Sequence, residues 1–139
     1  MTEAHLLIFA KAPQAGRVKT RLVPPLTPLE AARVHEASLL DVVAGAIESG
    51  AAVRILYDDT TDAAAYFART FSGVERRPQP AGDLGRRLVE AFAAAFADGA
   101  ACVVAIGADS PTLPRSYLSD GLAATREAGA ALGPAADGG

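Results

Sequence analysis

The most chemically distinctive segment of the sequence is the basic stretch FAKAPQAGRVKTRL, residues 9–22. Residues 11–21, which we call the basic loop, carry four cations and no acid. Glycine lets a backbone approach a ligand closely, and lysine and arginine hold phosphate oxygens by charge and hydrogen bonds. The loop is therefore predicted to bind phosphates, although a solvated basic loop is the structural alternative. Its candidate nucleotide-binding residues are Lys11, Gly16, Arg17, Lys19 and Arg21.

The sequence lacks two common nucleotide-binding fingerprints. In GRVKT, residues 16–20, other residues separate the glycine from the lysine–threonine pair, so the segment is not a Walker loop. No GxGxxG pattern occurs, which argues against a dinucleotide-dependent dehydrogenase.

A second candidate segment is GADSPTLP, residues 107–114, directly after the most apolar predicted strand. Gly107 and Pro111 would hold the intervening carboxylate in one direction. Mg²⁺ binds one or two protein carboxylates and completes its shell with water and substrate phosphates. Asp109 is therefore the predicted metal ligand, whereas capping of a turn or of the next helix is its structural alternative. Ser110 could serve either purpose.

Two further segments place an aspartate beside glycines. In QPAGDLG, residues 79–85, Asp83 could bind a ribose or base edge while Gly85 permits a close approach, but Asp83 is also a suitable helix cap. In GPAADGG, residues 133–139, Asp137 could reach a metal or an acceptor hydroxyl. A plain turn or a frayed tail is the alternative for that segment.

Strand and helix patterns alternate along the chain. Apolar runs predict strands over 5–10, 52–57, 74–77 and 101–106, with a further short strand beginning over 130–133. Helical spacing predicts helices from 28 to about 50, over 61–71, from 84 to about 98 and over 114–128. Thr27 and Glu30 have the spacing of a capping box, with Pro28 at the first helical position. The expected inner stripe of the third helix is Leu84, Leu88, Phe92, Ala95 and Phe96.

This alternation predicts a three-layer α/β/α sandwich with a mostly parallel sheet. Ligands of such sheets bind outside the carboxyl ends of the strands. Each of the four candidate segments follows a predicted strand, so we expect them to share one edge of the sheet.

Composition narrows the function classes. The chain of 139 residues has a net charge of −3, which gives no overall attraction to nucleic acid or to an anionic membrane. Its single cysteine, Cys102, fits a reducing compartment and a buried strand, and no apolar run is long enough to span a membrane. We therefore expect a cytoplasmic protein. His5 and His35 have no metal-ligand spacing and are interpreted as surface or packing residues.

The four segments together resemble a bacterial family of glycosyltransferase A-like proteins, the radical-SAM/selenodomain-associated or arsenosugar-biosynthesis glycosyltransferases. The matching pieces are FAKAPQAGRVKTRL, AGDLGRRL, GADSPTLP and GPAADGG, in that order. The family is similar in fold to nucleotide-diphospho-sugar transferases, and more remotely to molybdenum-cofactor and phospholactate nucleotidyltransferases. The resemblance implies a Rossmann-like fold and a single domain over residues 1–139.

The resemblance also implies roles for the candidate residues. The basic-loop residues, with Asp83 and Gly85, match nucleotide-binding positions, and Asp109 and Asp137 match positions that hold Mg²⁺ or Mn²⁺. Lys19 and Asp109 are the expected catalytic residues. Family members continue beyond the DGG motif into a part that binds the acceptor, so the chain is expected to be C-terminally incomplete. An open sheet edge makes a homodimer a further expectation.

Three functions remain open from sequence. The first is glycosyl transfer from a nucleotide-diphospho-sugar to an unknown small-molecule acceptor, with a divalent metal. The second is nucleotidyl transfer from a nucleoside triphosphate with release of pyrophosphate, since both reactions place charge on the same phosphates. The third is a non-catalytic nucleotide-binding domain.

Overall fold

The computed structural model of the chain describes residues 4–134, which alternate between strands and helices. The strands are β1 (Ala4–Ala10), β2 (Ala52–Tyr57), β3 (Glu75–Pro78) and β4 (Cys102–Gly107). The helices are α1 (Pro28–Glu48), α2 (Ala63–Thr70), α3 (Leu84–Ala97) and α4 (Arg115–Ala128), and a short 3₁₀ turn covers Thr20–Leu22. The elements predicted as far as residue 128 are therefore present, with boundaries that shift by one or two residues.

The four strands form one parallel sheet in the order β3-β2-β1-β4. The chain builds outward from β1 through β2 to β3, and then returns to place β4 on the other side of β1. Helices pack against both faces of the sheet. The inner strand β1 therefore has apolar side chains on both faces. The expected α/β/α sandwich with a parallel sheet is confirmed.

Two apolar layers hold the helices onto the sheet. On one face, Leu6 and Ile8 of β1 pack with Leu39 of α1, Phe67 of α2 and Leu118 of α4. On the opposite face, β1, β2 and β4 pack with α3. Ala12 of the basic loop belongs to the first of these two layers.

The buried stripe of α3 differs from the predicted one. Ala91 and Ala95 are its buried residues, whereas Leu84 is 65% exposed and Phe96 is 50% exposed. Small alanine side chains thus face the sheet, whereas the larger residues at the two ends of the helix are exposed to solvent. Of the expected stripe, Ala95 is buried and Leu88 and Phe92 are half-buried.

The prediction that a further strand begins over residues 130–133 is wrong. Residues 130–134 have no regular structure, and Leu132 is 95% exposed. A strand needs a neighbour for its backbone hydrogen bonds, and this segment pairs with none of the four strands between residues 4 and 134. Of the described helices, none is both long enough and apolar enough to cross a membrane.

Candidate functional site

The carboxyl ends of the four strands lie at one level. Ala10 pairs with Tyr57, Tyr57 pairs with Pro78, and Phe9 pairs with Gly107, so the loops that follow the strands begin side by side. Adjacent strands lie about 4.8 Å apart. The basic loop therefore starts about 5 Å from the Asp109 segment and about 10 Å from the segment 79–85. The basic loop occupies the middle position, as expected for segments that share one ligand.

The basic loop has a defined backbone shape. Its Ala12 and Val18 are buried and anchor the loop to the body of the protein, while Arg17 and Arg21 are exposed. Gly16 has a φ of +84°, a conformation that glycine adopts without strain. Within residues 4–134, no carboxylate forms an ion pair with the side chain of Lys11, Arg17 or Arg21. Three cations of the loop are thus available to an anion.

The fourth cation of the basic loop joins it to the carboxylate after β4. Lys19 Nζ lies 3.4 Å from Asp109 Oδ1, and the side chain of Lys19 is only 21% exposed whereas that of Asp109 is 74% exposed. Lys19 itself adopts a left-handed backbone conformation, with a φ of +48°. Such a conformation is uncommon for a residue with a side chain, and here it belongs to the residue whose ammonium meets the carboxylate. Arg21 forms no ion pair with Asp109.

Asp109 has no capping role. Helix α4 begins after Pro114, which provides no side-chain cap, and no backbone N–H donates to the Asp109 carboxylate among the described residues. The structural alternative considered for Asp109 from sequence therefore fails. Because its side chain is exposed and its Oδ2 is free of ion pairs in this part of the chain, the carboxylate can accept an external ligand.

Helix α1 lies beneath both loops and contacts each of them through a polar side chain. His35 Nε2 donates to the carbonyl oxygen of Lys11 at 2.7 Å, and His35 Nδ1 lies 3.8 Å from Asp109 Oδ1. Ser38 Oγ donates to the carbonyl oxygen of Ala108 at 2.6 Å. Both side chains are about 95% buried. The sequence interpretation of His35 as a surface or packing residue misses these contacts.

The end of β2 supports the start of the basic loop. Asp58 is buried, and its Oδ1 accepts a hydrogen bond from the backbone N–H of Ala12 at 3.0 Å. Its Oδ2 accepts a hydrogen bond from the hydroxyl of Thr60. Asp58 thus fixes the chain where it leaves β1, a role that sequence reasoning did not assign. Its position directly after a predicted strand was the available signal.

Two polar side chains of the segment 79–85 form hydrogen bonds that stabilise the fold. Asp83 Oδ1 accepts a hydrogen bond from the backbone N–H of Arg86 at 2.8 Å, so Asp83 caps α3. Gln79 donates to the carbonyl oxygen of Leu56 at 3.0 Å and accepts from Arg87 at 2.9 Å. Gly85 is exposed at the first turn of α3. Capping leaves the second oxygen of Asp83 available, so its nucleotide-binding role stays a prediction.

The candidate metal site consists of one described carboxylate. Asp137 lies outside the described residues, and within residues 4–134 no group of three or more His, Cys, Asp or Glu side chains could hold a metal ion. A single exposed carboxylate beside a candidate phosphate-binding loop still suits Mg²⁺ or Mn²⁺, because Mg²⁺ takes most of its ligands from water and phosphates. Asp109 fits that requirement.

A cavity of about 440 Å³ lies between α1, the end of β4 and the start of α4. Gly107 and Ser110, which flank Asp109 in sequence, belong to its wall together with Asp41 and Arg115. Arg115 is also paired with Glu48. The cavity is therefore lined by both signs of charge and lies next to the candidate site.

Comparison with known proteins places the chain in a family. Residues 41–139, which include Asp109 but not the basic loop, match the family described as "uncharacterized protein conserved in bacteria" (DUF2064). The chain belongs to this family. No curated protein matches it significantly.

A solved structure matches more of the chain than the family does. The chain is similar to a protein from Desulfovibrio desulfuricans G20 with the provisional name nucleotide-diphospho-sugar transferase, at 30% identity and a TM-score of 0.86. The match covers 91% of this chain and 55% of that one. The DUF2064 chain thus spans about half the length of this relative and shares its fold over that half.

Proposed function

We propose that the chain forms the nucleotide-binding part of a transferase that uses a nucleotide-activated donor, and that the reaction is glycosyl transfer from a nucleotide-diphospho-sugar. The observation that carries this proposal is the meeting of Lys19 and Asp109 at 3.4 Å, beyond the carboxyl ends of two adjacent parallel strands. Ligands of open parallel sheets bind at this edge, where the strand order reverses. The likeness to the Desulfovibrio protein supports the same reaction class.

The basic loop would hold the diphosphate of the donor. Arg17 and Arg21 are exposed, and neither is paired with a described carboxylate. A cation and a phosphate charge about 4 Å apart attract by roughly 4 kcal/mol at an effective dielectric of 20, before desolvation is subtracted. Solvent exposure and desolvation reduce this attraction, so micromolar binding, which corresponds to about 8 kcal/mol, requires several such contacts together.

In the reaction, the bond between the anomeric carbon and the diphosphate oxygen breaks, while the acceptor hydroxyl oxygen bonds to that carbon and gives up its proton to water. Negative charge grows on the diphosphate as it leaves. Lys19 and the arginines of the loop stabilise that charge from fixed positions, which is the main way in which an enzyme can assist this step.

Asp109 would hold a divalent cation against the same phosphates, together with Asp137 if that residue reaches the site. Bound Mg²⁺ or Mn²⁺ would supply Lewis-acid neutralisation of the leaving diphosphate. Asp83 and Gly85 follow β3, on the side of the basic loop away from Asp109, and would contact the ribose or base. We also propose that, within this class of transferases, the chain is related to the radical-SAM/selenodomain-associated glycosyltransferases.

A thermal-shift screen tests the proposal without knowledge of the acceptor. The chain is heated with nucleoside diphosphates, nucleoside triphosphates and nucleotide sugars, each with EDTA, Mg²⁺ or Mn²⁺. A ligand at about 100 times its Kd stabilises the fold by roughly 2.7 kcal/mol, which raises Tm by on the order of 10 °C in a domain of this size.

The screen separates the possible outcomes. Stabilisation by a nucleoside diphosphate and its sugar that increases with metal supports the proposal. Stabilisation by triphosphates alone, followed by release of pyrophosphate, would instead indicate a nucleotidyltransferase. Absence of any shift across the panel would refute the nucleotide site.

A further inference from the structure

The buried face of α1 carries two polar side chains one turn apart. His35 and Ser38 lie among Ala32, Leu39 and Val42, which are buried apolar residues of the same helix. Polar side chains are rarely buried without a partner, because each unpaired group loses its hydrogen bonds to water. Here both have partners, and both partners are backbone carbonyls of the candidate site.

The two carbonyls belong to different loops. Lys11, which receives the hydrogen bond from His35 Nε2 at 2.7 Å, is the first residue of the basic loop. Ala108, which receives the hydrogen bond from Ser38 Oγ at 2.6 Å, directly precedes Asp109. One rigid helix therefore binds the loop after β1 and the loop after β4, with a spacing fixed by a single helical turn.

The hydrogen bonds also determine how His35 faces the carboxylate. A carbonyl oxygen has no proton to give, so Nε2 carries the hydrogen of that bond. The other ring nitrogen, Nδ1, points toward Asp109 Oδ1 at 3.8 Å. The ring thus contacts the backbone of the basic loop on one side and lies against the Asp109 carboxylate on the other.

We propose that His35 and Ser38 are positioning residues that set the distance between the basic loop and Asp109. On this reading, which rests on the proposed nucleotide and metal site, they couple the phosphate-binding cations to the metal-binding carboxylate. Their loss lets the two loops separate. The cations still bind a diphosphate, but the metal on Asp109 no longer meets the same phosphates.

The coupling is measurable as the ratio of two dissociation constants. Isothermal titration calorimetry gives the Kd of the nucleoside diphosphate that binds best, chosen from UDP, GDP, ADP, CDP and dTDP, once with EDTA and once with Mn²⁺. In the wild-type chain, we expect Mn²⁺ to tighten binding. In His35→Leu and in Ser38→Ala, we expect that enhancement to shrink by roughly fivefold or more, the equivalent of one lost hydrogen bond.

Two variants provide matched controls. In His35→Gln, the amide N–H reaches about as far as Nε2 and can donate to the Lys11 carbonyl, so the enhancement is expected to stay within about twofold of wild type. His5 is the second histidine of the chain and lies on β1, at the end of the sheet away from the site. His5→Gln is expected to leave the enhancement unchanged.

The outcomes distinguish this inference from the proposed function. If His35→Leu fails to fold, Ser38→Ala makes the same test, since it removes a single hydroxyl. Variants that lose thermal stability but keep the full Mn²⁺ enhancement would overturn the positioning role and show a purely structural one. A glutamine variant as impaired as the leucine variant would also overturn it. A wild-type chain that binds none of the nucleotides would overturn the proposed function, and the inference with it.

Discussion

The replacement Asp109→Asn should have opposite effects on nucleotide binding with and without metal. In the free protein the carboxylate neutralises Lys19 across 3.4 Å. The interaction at that distance is about 1.2 kcal/mol at the dielectric of water and about 5 kcal/mol at an effective dielectric of 20. Because the side chain of Asp109 is 74% exposed, the lower figure applies, in keeping with exposed ion pairs, which contribute at most about 1 kcal/mol.

Asparagine keeps the size of the side chain but removes its charge. Lys19 then has no competing carboxylate partner and can bind phosphate. The negative charge that repelled the phosphate is also gone. About 1 kcal/mol corresponds to roughly fivefold, so the variant should bind a nucleoside diphosphate about fivefold more tightly than wild type in EDTA. In Mn²⁺ it should show little further gain, because the candidate metal ligand is gone.

Calorimetric titration of wild type and variant, with EDTA and with Mn²⁺, measures both effects. Asp120→Asn is the matched control, since Asp120 is an exposed carboxylate on α4 and its loss changes the net charge equally. Weaker metal-free binding by Asp109→Asn, or an undiminished Mn²⁺ enhancement, would refute the assigned role of Asp109.

Three further predictions concern other parts of the fold. Lys19→Met should weaken metal-free binding of a nucleoside diphosphate by roughly tenfold, since it removes one of the cations proposed to bind phosphate; unchanged affinity in calorimetry would contradict this. The Arg54 guanidinium, which donates to the Asp98 carboxylate at 2.7 Å, lowers the pKa of Asp98. That pair therefore stabilises the fold above about pH 4 and loses its effect as pH falls through the lowered pKa. Urea unfolding should show Asp98→Asn less stable than wild type at about pH 6, with a difference that shrinks as the pH is lowered below about 4. Thr27→Ala removes the capping box of α1 and should cost about 1 kcal/mol in urea unfolding, whereas Thr112→Ala, in the exposed loop before α4, should be near neutral.

Local sequence signals predicted the framework of the fold well. Strand β2 has the predicted bounds, because its apolar run is enclosed by clear breaks. Helix α1 begins where the capping box predicts, with Thr27 and Glu30 each accepting a hydrogen bond from the other's backbone N–H. These features depend on residues within a few positions of one another, which is the range over which sequence patterns are informative.

Contacts between distant segments were harder to predict. His35 lies 24 positions from Lys11 and Ser38 lies 70 positions from Ala108, so their partners depend on how α1 is rotated and where β4 is placed. A signal for His35 did exist, because it falls on the apolar stripe of α1, three positions after Ala32. The exposed ends of α3 were missed for a related reason. Helical periodicity identifies an apolar face, but the neighbouring strands decide how much of that face is covered.

The central claim is that a diphosphate lies between the basic loop and a metal on Asp109. The most direct measurement is anomalous diffraction from crystals of the chain with Mn²⁺ and the nucleoside diphosphate that binds best. The account predicts an anomalous peak coordinated by the Asp109 carboxylate, with the β-phosphate in contact with Lys19. A manganese peak away from Asp109, or a diphosphate bound outside the basic loop, would contradict it.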